Sequence, residues 1–278
     1  MSPLNSQSVG GMTVTFHYPA ASDQPLALVV FLKGLNVAPS HYSYYAQRLA
    51  QYGFVVALPD PETRLPRREE LFAATGLVAD LQATLRRETQ NPQSPLFERV
   101  NPENVALLGH SQGGIVGLDA IVNASAVSFA SGDYSLPPQL KAAAFYGSFL
   151  EVELDLEGDG DRPLNSQGLP LALMAGSRDS LMPAAEVRAT YTGLATPPKL
   201  YLELEGANHY GITNVNNPPQ APLDPRLPDL PQEIALDTLA RWTGVFLRAW
   251  VFSDAIAREY LEQMLGTIDP VVSLEGEF

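Results

Sequence analysis

The 278-residue chain contains no cysteine, which removes disulfides, cysteine-ligated zinc and thiol-based catalysis from consideration together. Positive charge is scarce as well. Seventeen Lys and Arg stand against thirty-one Asp and Glu, a net charge of −14, so nucleic acid and anionic membrane surfaces are repelled rather than recruited. No apolar run approaches the roughly 18 residues that cross a bilayer. The start, MSPLNSQSVGGM, has neither the basic nor the apolar region of an export signal. The cytoplasm is therefore the expected compartment, although a secreted enzyme trimmed of its signal would read the same way. Only four histidines occur, at 17, 41, 110 and 209, so every candidate base can be weighed in turn.

What is present is the material of a folded α/β domain. Hydrophobic residues make up 45% and charged residues 17% of the chain, enough to bury a sizeable core and too little charge for a disordered one. Runs rich in β-branched and aromatic residues recur at Thr13–Tyr18, Leu26–Leu32, Phe54–Leu58, Asn104–Leu108, Ala142–Tyr146, Leu169–Ala175 and Lys199–Leu204, each bounded by Gly, Pro, Asn or Asp. Helical spacing separates most of them, as in Tyr42-Tyr45-Leu49, Leu77-Leu81-Leu85 and Ile115-Leu118-Val122. This alternation predicts one domain over residues 1–278, with a mostly parallel central sheet and helices on both faces. A last long helix is expected from about Pro231 to Leu265, with Leu239, Trp242, Phe246 and Trp250 facing the sheet.

Two segments interrupt the rhythm. Residues 214–231, NVNNPPQAPLDPRLPDLP, hold too many prolines for a helix and read as a loop. Residues 151–161, EVELDLEGDGD, place Asp155, Glu157 and Asp159 as in the first half of a calcium loop. The twelfth position from Asp155 is Ser166 rather than the required glutamate, so the stretch reads as a solvated acidic loop and no metal is expected.

The chemistry-bearing pattern is Gly109-His110-Ser111-Gln112-Gly113. It follows a strand and opens a helix, the setting in which a serine is lifted out of a sharp turn. A serine hydroxyl is a weak nucleophile and needs a base within hydrogen-bond reach. His110 is held inside the turn with its side chain directed away from Ser111 and reads as a packing residue. His17 sits in a first, edge-type strand and His41 at a helix start. His209, in Glu205-Gly206-Ala207-Asn208-His209-Tyr210-Gly211, follows the strand Lys199–Leu204, at the strand end where open α/β sheets build their sites. Asp179, in the loop after Leu171–Ala175, is the candidate acid that orients the imidazole, with Asp155 and Asp159 as weaker substitutes. Asp179 also reads as an N-cap for a helix beginning near Pro183. Two backbone N–H groups would complete an oxyanion hole, those of Gln112 and of Leu35 in Lys33-Gly34-Leu35-Asn36.

With these residues in hand the chain resembles the α/β-hydrolases. The segments VVFLKGL, YGFVVALPD, ALLGHSQGG, MAGSRDSLMP and GANHYG carry the resemblance along nearly its full length. Within that superfamily it is similar to the serine-esterase branch of chlorophyllase-like, dienelactone-hydrolase-like and cutinase-type polyester-hydrolase proteins. The resemblance implies ester hydrolysis through an acyl-enzyme without cofactor or metal. It also implies the roles already given to Ser111, Asp179, His209, Leu35 and Gln112. Three departures stand out. Lys33 occupies a position where the family usually has histidine; the cysteine nucleophile of dienelactone hydrolases proper is absent; and the disulfide common in secreted cutinase-type enzymes cannot form.

Leu181, Met182, Tyr210 and Ile212 neighbour the assigned residues and are candidate substrate-lining positions, with Tyr42 and Tyr45 close by. Such a lining suits acyl or aromatic groups, so short to medium acyl, lipid-like or polyester substrates are expected of a monomer or homodimer. Residues 61–75 are too short and polar for a large lid. A thioesterase, peptidase or perhydrolase would use the same three side chains, and a catalytically silent binding protein on this fold is the alternative of another class.

Overall fold

A computed structural model describes residues 4–9, 12–60, 83–94, 96–122, 139–150, 164–265 and 269–278. The acidic stretch 151–161, with Asp155 and Asp159, the segment 61–75, and Leu77 and Leu81 lie outside the described residues. Among the described residues nine strands form one sheet. They are β1 (Leu4–Val9), β2 (Met12–His17), β3 (Leu26–Leu32), β4 (Phe54–Asp60), β5 (Val100–His110), β6 (Leu140–Tyr146), β7 (Leu171–Gly176), β8 (Lys199–Leu204) and β9 (Val272–Glu277), in the order β1-β2-β4-β3-β5-β6-β7-β8-β9. Strands β4, β3, β5, β6, β7 and β8 pair in parallel, whereas β1, β2 and β9 run antiparallel to their neighbours. The parallel strands are nearly continuous apolar runs because both their faces are covered: every residue of β3 and of β7 is buried.

Alternate residues feed two cores. On one face Val29, Phe31, Val56, Ala106 and Leu108 pack under α1 (Ser43–Ala50), α5 (Gln232–Val251) and α6 (Ala255–Met264). On the other, Leu28, Val30, Val55, Leu107, Phe145 and Leu173 pack with Leu85 of the helical segment α2 (83–90), with α3 (Gln112–Val122) and with α4 (Ala184–Gly193). Each fully buried aliphatic or aromatic side chain contributes about 1.5–3 kcal/mol relative to exposure, so losing the period-two pattern of any central strand would empty both cores at once. Among the described residues no helix is long and apolar enough to cross a membrane.

Three expectations need correction. The helix read from Pro231 to Leu265 is two helices, α5 and α6. Ser253 takes a φ of +53°, and Asp254 starts α6 by accepting the N–H groups of Ile256 and Ala257 while Arg248 Nη2 binds its other oxygen at 2.6 Å. The apolar stripe continues across this break, which hides it from periodicity. Strands β1 and β9 were not anticipated, since LNSQSV and VSLEGE are polar edge sequences that sheet pairing alone recruits. Because β1 covers β2, His17 is not on an edge strand: its imidazole is 1% exposed, and neither ring nitrogen has a hydrogen-bond partner.

Burial pushes the His17 imidazole down to about 4 from 6.5. A folded-state value below the unfolded one means that the unfolded chain binds the proton more tightly, so stability is lost as pH falls from about 6.5 toward 4. Urea denaturation at pH 7 and pH 4.5 is expected to show wild-type protein losing about 2 kcal/mol more than His17→Leu across that interval. Equal losses in the two proteins would contradict this account of the buried ring.

Candidate functional site

Strand β5 ends at His110 and α3 begins at Gln112, leaving Ser111 alone to reverse the chain. Its φ of +54° is a left-handed conformation that costs a non-glycine residue about 1–3 kcal/mol. Hydrogen bonds hold it there. Its N–H donates to the Tyr146 carbonyl and its own carbonyl accepts from Ile115 N–H and Ser148 Oγ, all at 3.0 Å. The flanking glycines follow from the closeness of the turn. A Cβ on Gly109 would lie 2.5 Å from Gly114 Cα, and one on Gly113 would lie 2.4 Å from the Leu32 carbonyl oxygen. The second approach presses the start of α3 against the loop that leaves β3.

The candidate acid and base lie in the loops that follow the two strands beyond β6. Asp179 is 3% exposed in the turn after β7, where its Oδ1 accepts the N–H groups of Leu181 and Met182 at 2.9 and 2.7 Å. Its Oδ2 lies 2.8 Å from His209 Nδ1. A carboxylate only accepts, so the imidazole proton sits on Nδ1 and the Nε2 lone pair is left available. The expectation that Asp179 is an N-cap does not describe it, because α4 starts after Pro183. Gly147, with φ +57°, gives the pair its space: a Cβ there would sit 3.0 Å from Asp179 Oδ2 and 3.1 Å from His209 Nδ1.

Ser111 joins the same cluster through its neighbours. The ring of His110, one residue before it, lies 4.6 Å from the His209 ring, and the carbonyl that receives the Ser111 N–H belongs to the residue preceding Gly147. Among the described residues the Ser111 hydroxyl has no hydrogen-bond partner. Asp179 and His209 are thus directly bonded, while Ser111 stands beside them with its hydroxyl uncommitted.

His110 packs as expected, at 0% exposure, but both its nitrogens are also employed. Nε2 lies 2.9 Å from the His209 carbonyl oxygen, and Nδ1 lies 2.8 Å from the Tyr42 hydroxyl. The carbonyl can only accept, so Nε2 carries the proton and Tyr42 donates to Nδ1. Tyr42 in turn accepts the Gly34 N–H at 2.9 Å. Burial, then the nearby His209, keep the His110 imidazole well below its ordinary value and so neutral, and burial raises the Tyr42 phenol. One file of hydrogen bonds therefore links the loop after β3 to the loop after β8 through the residue preceding Ser111. Local sequence carries no sign of it, because Tyr42 reads as one more core position of a helix.

The loop after β3 turns at Gly34, whose carbonyl accepts the Val37 N–H at 3.2 Å, with Asn36 at φ +54°. Among the described residues neither Leu35 N–H nor Gln112 N–H has a partner. A Cβ on Gly34 would lie 3.2 Å from Ser111 Cβ, which places this loop against the serine. Lys33 turns aside to an ion pair with Asp60 at 2.6 Å. Leu181 and Met182 are half-buried next to Asp179. Tyr210 and Ile212 are 1% and 2% exposed in the core, and Tyr42 and Tyr45 are wholly buried; Tyr45 donates to Thr243 Oγ1 at 2.7 Å. Among the described residues no group of three or more His, Asp or Glu side chains is placed to hold a metal ion.

The proline-rich loop, the least legible segment, is built into the site. Asn208 Nδ2 reaches Asn216 Oδ1 and the Arg226 carbonyl, each at 2.9 Å, and the Tyr210 hydroxyl donates to the Pro222 carbonyl. Asn214 binds back to Ser40 and Ser43. Asp224, also on this loop and overlooked by motif reasoning, accepts the His209 N–H at 3.0 Å.

This geometry agrees with the family comparison. The model of the Alpha/beta hydrolase family matches residues 29–276, and the chain belongs to that family. It is similar to Cutinase 1 of Thermobifida cellulosilytica, with 22% identity over 263 residues, covering 94% of this chain and 81% of that protein. It is likewise similar to a cutinase of Thermobifida fusca (strain YX), 22% identical over 94% of this chain and 70% of that one. Cutinase 2 of Thermobifida cellulosilytica is also 22% identical, over 94% of this chain and 80% of its own length.

Tyr42→Phe leaves the Gly34 N–H and His110 Nδ1 buried without a partner. The expected loss is about 1–3 kcal/mol of unfolding free energy, read from urea denaturation at pH 7. A midpoint equal to that of wild type would show that the file of bonds carries no stability.

Proposed function

We propose that the protein is a serine hydrolase that cleaves carboxylic esters through an acyl-enzyme. The observation that carries this reading is the 2.8 Å Asp179–His209 bond set beside a serine held at positive φ on the strand-to-helix turn. In the first step Ser111 Oγ attacks the ester carbonyl carbon as His209 Nε2 takes its proton. The oxyanion is received by the N–H groups of Leu35 and Gln112, and the imidazolium returns the proton to the departing alkoxide. Water then repeats the sequence on the acyl-Ser111 ester and releases the acid. Asp179 keeps the imidazole in the Nδ1–H form and stabilises its charged state. In this reading Ser111 Oγ and His209 Nε2 come into hydrogen-bond reach in the substrate complex.

The proposed substrates are short to medium acyl, lipid-like or polyester esters. Two features support this class: half-buried Leu181 and Met182 beside Asp179, and exposed apolar side chains such as Val215 and Leu223, 44% and 68% exposed, on the loop bonded to His209. The names of the cutinase relatives agree with it.

Ser111→Ala and His209→Ala are each expected to lower kcat on p-nitrophenyl esters by about 10⁴-fold or more while the protein stays folded, since these groups act as a unit. A fluorophosphonate probe is expected to label wild-type protein stoichiometrically at Ser111. Near wild-type turnover by either variant, or a folded wild-type protein that resists the probe, would sink the proposal. Esters of increasing chain length, run beside a thioester and a peptide anilide, assign the preferred acyl class.

A further inference from the structure

The catalytic reading uses one carboxylate, yet a second lies buried against the same histidine. Asp224 is 0% exposed, and both its oxygens are spoken for. Oδ1 accepts from Ser180 Oγ at 2.5 Å and from Arg226 N–H at 3.0 Å, while Oδ2 accepts the His209 N–H at 3.0 Å. Ser180 directly follows Asp179. A single side chain thus ties the residue after the acid to the backbone of the base.

The placement of Asp224 is itself over-determined. Its N–H donates to Asn217 Oδ1 at 2.8 Å and its carbonyl accepts from Asn217 Nδ2 at 3.1 Å. The prolines at 222 and 225 restrict the chain on either side. The same loop grips both catalytic loops elsewhere, through Arg178 to the Leu227 carbonyl at 2.7 Å and to Asp229 at 2.8 Å, and through Asn208 to the Arg226 carbonyl. Among the described residues no Lys, Arg or His side chain pairs with the Asp224 carboxylate, so it is held by hydrogen bonds alone. Three donors converge on its two oxygens, which suits an acceptor-only group; an amide of the same shape would turn a donor toward at least one of them.

We infer that Asp224 is a positioning residue for the reaction, a buried clasp that sets His209 against Asp179 by bonding both of their loops at once. Backbone pairing joins the two loops just before these residues, Arg178 N–H donating to the Ala207 carbonyl at 2.9 Å and Gly206 N–H to Ser177 Oγ at 2.9 Å; Asp224 adds the tie at Ser180 and at His209 itself, where the 2.8 Å contact between acid and base is made. The inference rests on the serine-hydrolase reading above.

The test compares Asp224→Asn and Ser180→Ala with wild type, by kcat and KM on a p-nitrophenyl ester and by the rate of fluorophosphonate labelling. Asp224→Asn is expected to lower kcat and the labelling rate about tenfold or more, with KM within about twofold of wild type, since misplacement of a catalytic group by a fraction of an ångström acts on the chemical step. Ser180→Ala removes only the link to the acid loop from a solvent-exposed position and is expected to lower both rates about threefold at unchanged KM. Should the asparagine variant not fold, Ser180→Ala decides. Rates equal to wild type in a folded variant, or a loss confined to KM, overturn the inference while labelled wild-type protein leaves the hydrolase reading in place. Wild-type protein that cannot be labelled removes both.

Discussion

The structure turns on a reversal of the chain within one residue. Strand β5 and helix α3 meet so closely that Gly109 and Gly114 leave no space for a side chain between them, and Ser111 must take a backbone conformation that residues with a Cβ avoid. Such strain persists only where the surroundings over-determine it. Here the end of β6 does so from both sides, with the Tyr146 carbonyl on the serine N–H and Ser148 on the serine carbonyl. The turn therefore cannot be held without the central sheet, and the end of the sheet that holds it is the carboxyl end of the parallel strands, where the loops after β3, β7 and β8 arrive.

Two buried histidines show how burial selects between uses of the same side chain. His110 and His17 are both essentially inaccessible, and desolvation disfavours the charged ring in each. His110 is satisfied at both nitrogens, and in the neutral form it can donate from one and accept at the other. It is thereby suited to tying Tyr42 to the carbonyl of His209. His17 has no partner at either nitrogen, so its burial is a net cost that the core around it offsets. The first ring organises a site; the second is filler with a pH liability.

Much of the fold was legible in the residues because the parallel strands are apolar on both faces. The apolar runs Leu26–Leu32 and Lys199–Leu204 coincide with β3 and β8, and their alternation with helical spacing matches the observed layers. What escaped had no periodic signal of its own. The outer strands β1 and β9 are polar segments that become strands because a neighbour offers an unpaired edge. The division of α5 from α6 depends on one capping aspartate inside an unbroken apolar stripe. Tyr210 and Ile212, expected to line a pocket because they follow His209, are buried in the core, since adjacency along a loop does not set which way a side chain faces.

Steric periodicity, glycine spacing and strand-end position are local properties, so the alternating architecture and the Gly109–Gly113 turn are legible in the residues alone, and His209 and Asp179 stand out there as candidates. That Asp179 and His209 bond, that His110 and Tyr42 join two loops, and that Asp224 accepts the His209 N–H emerges only once the chain is folded. Those contacts link residues 30, 68 and 15 positions apart. Hydrogen bonds of that reach depend on the packing of whole strands, and no local pattern encodes them.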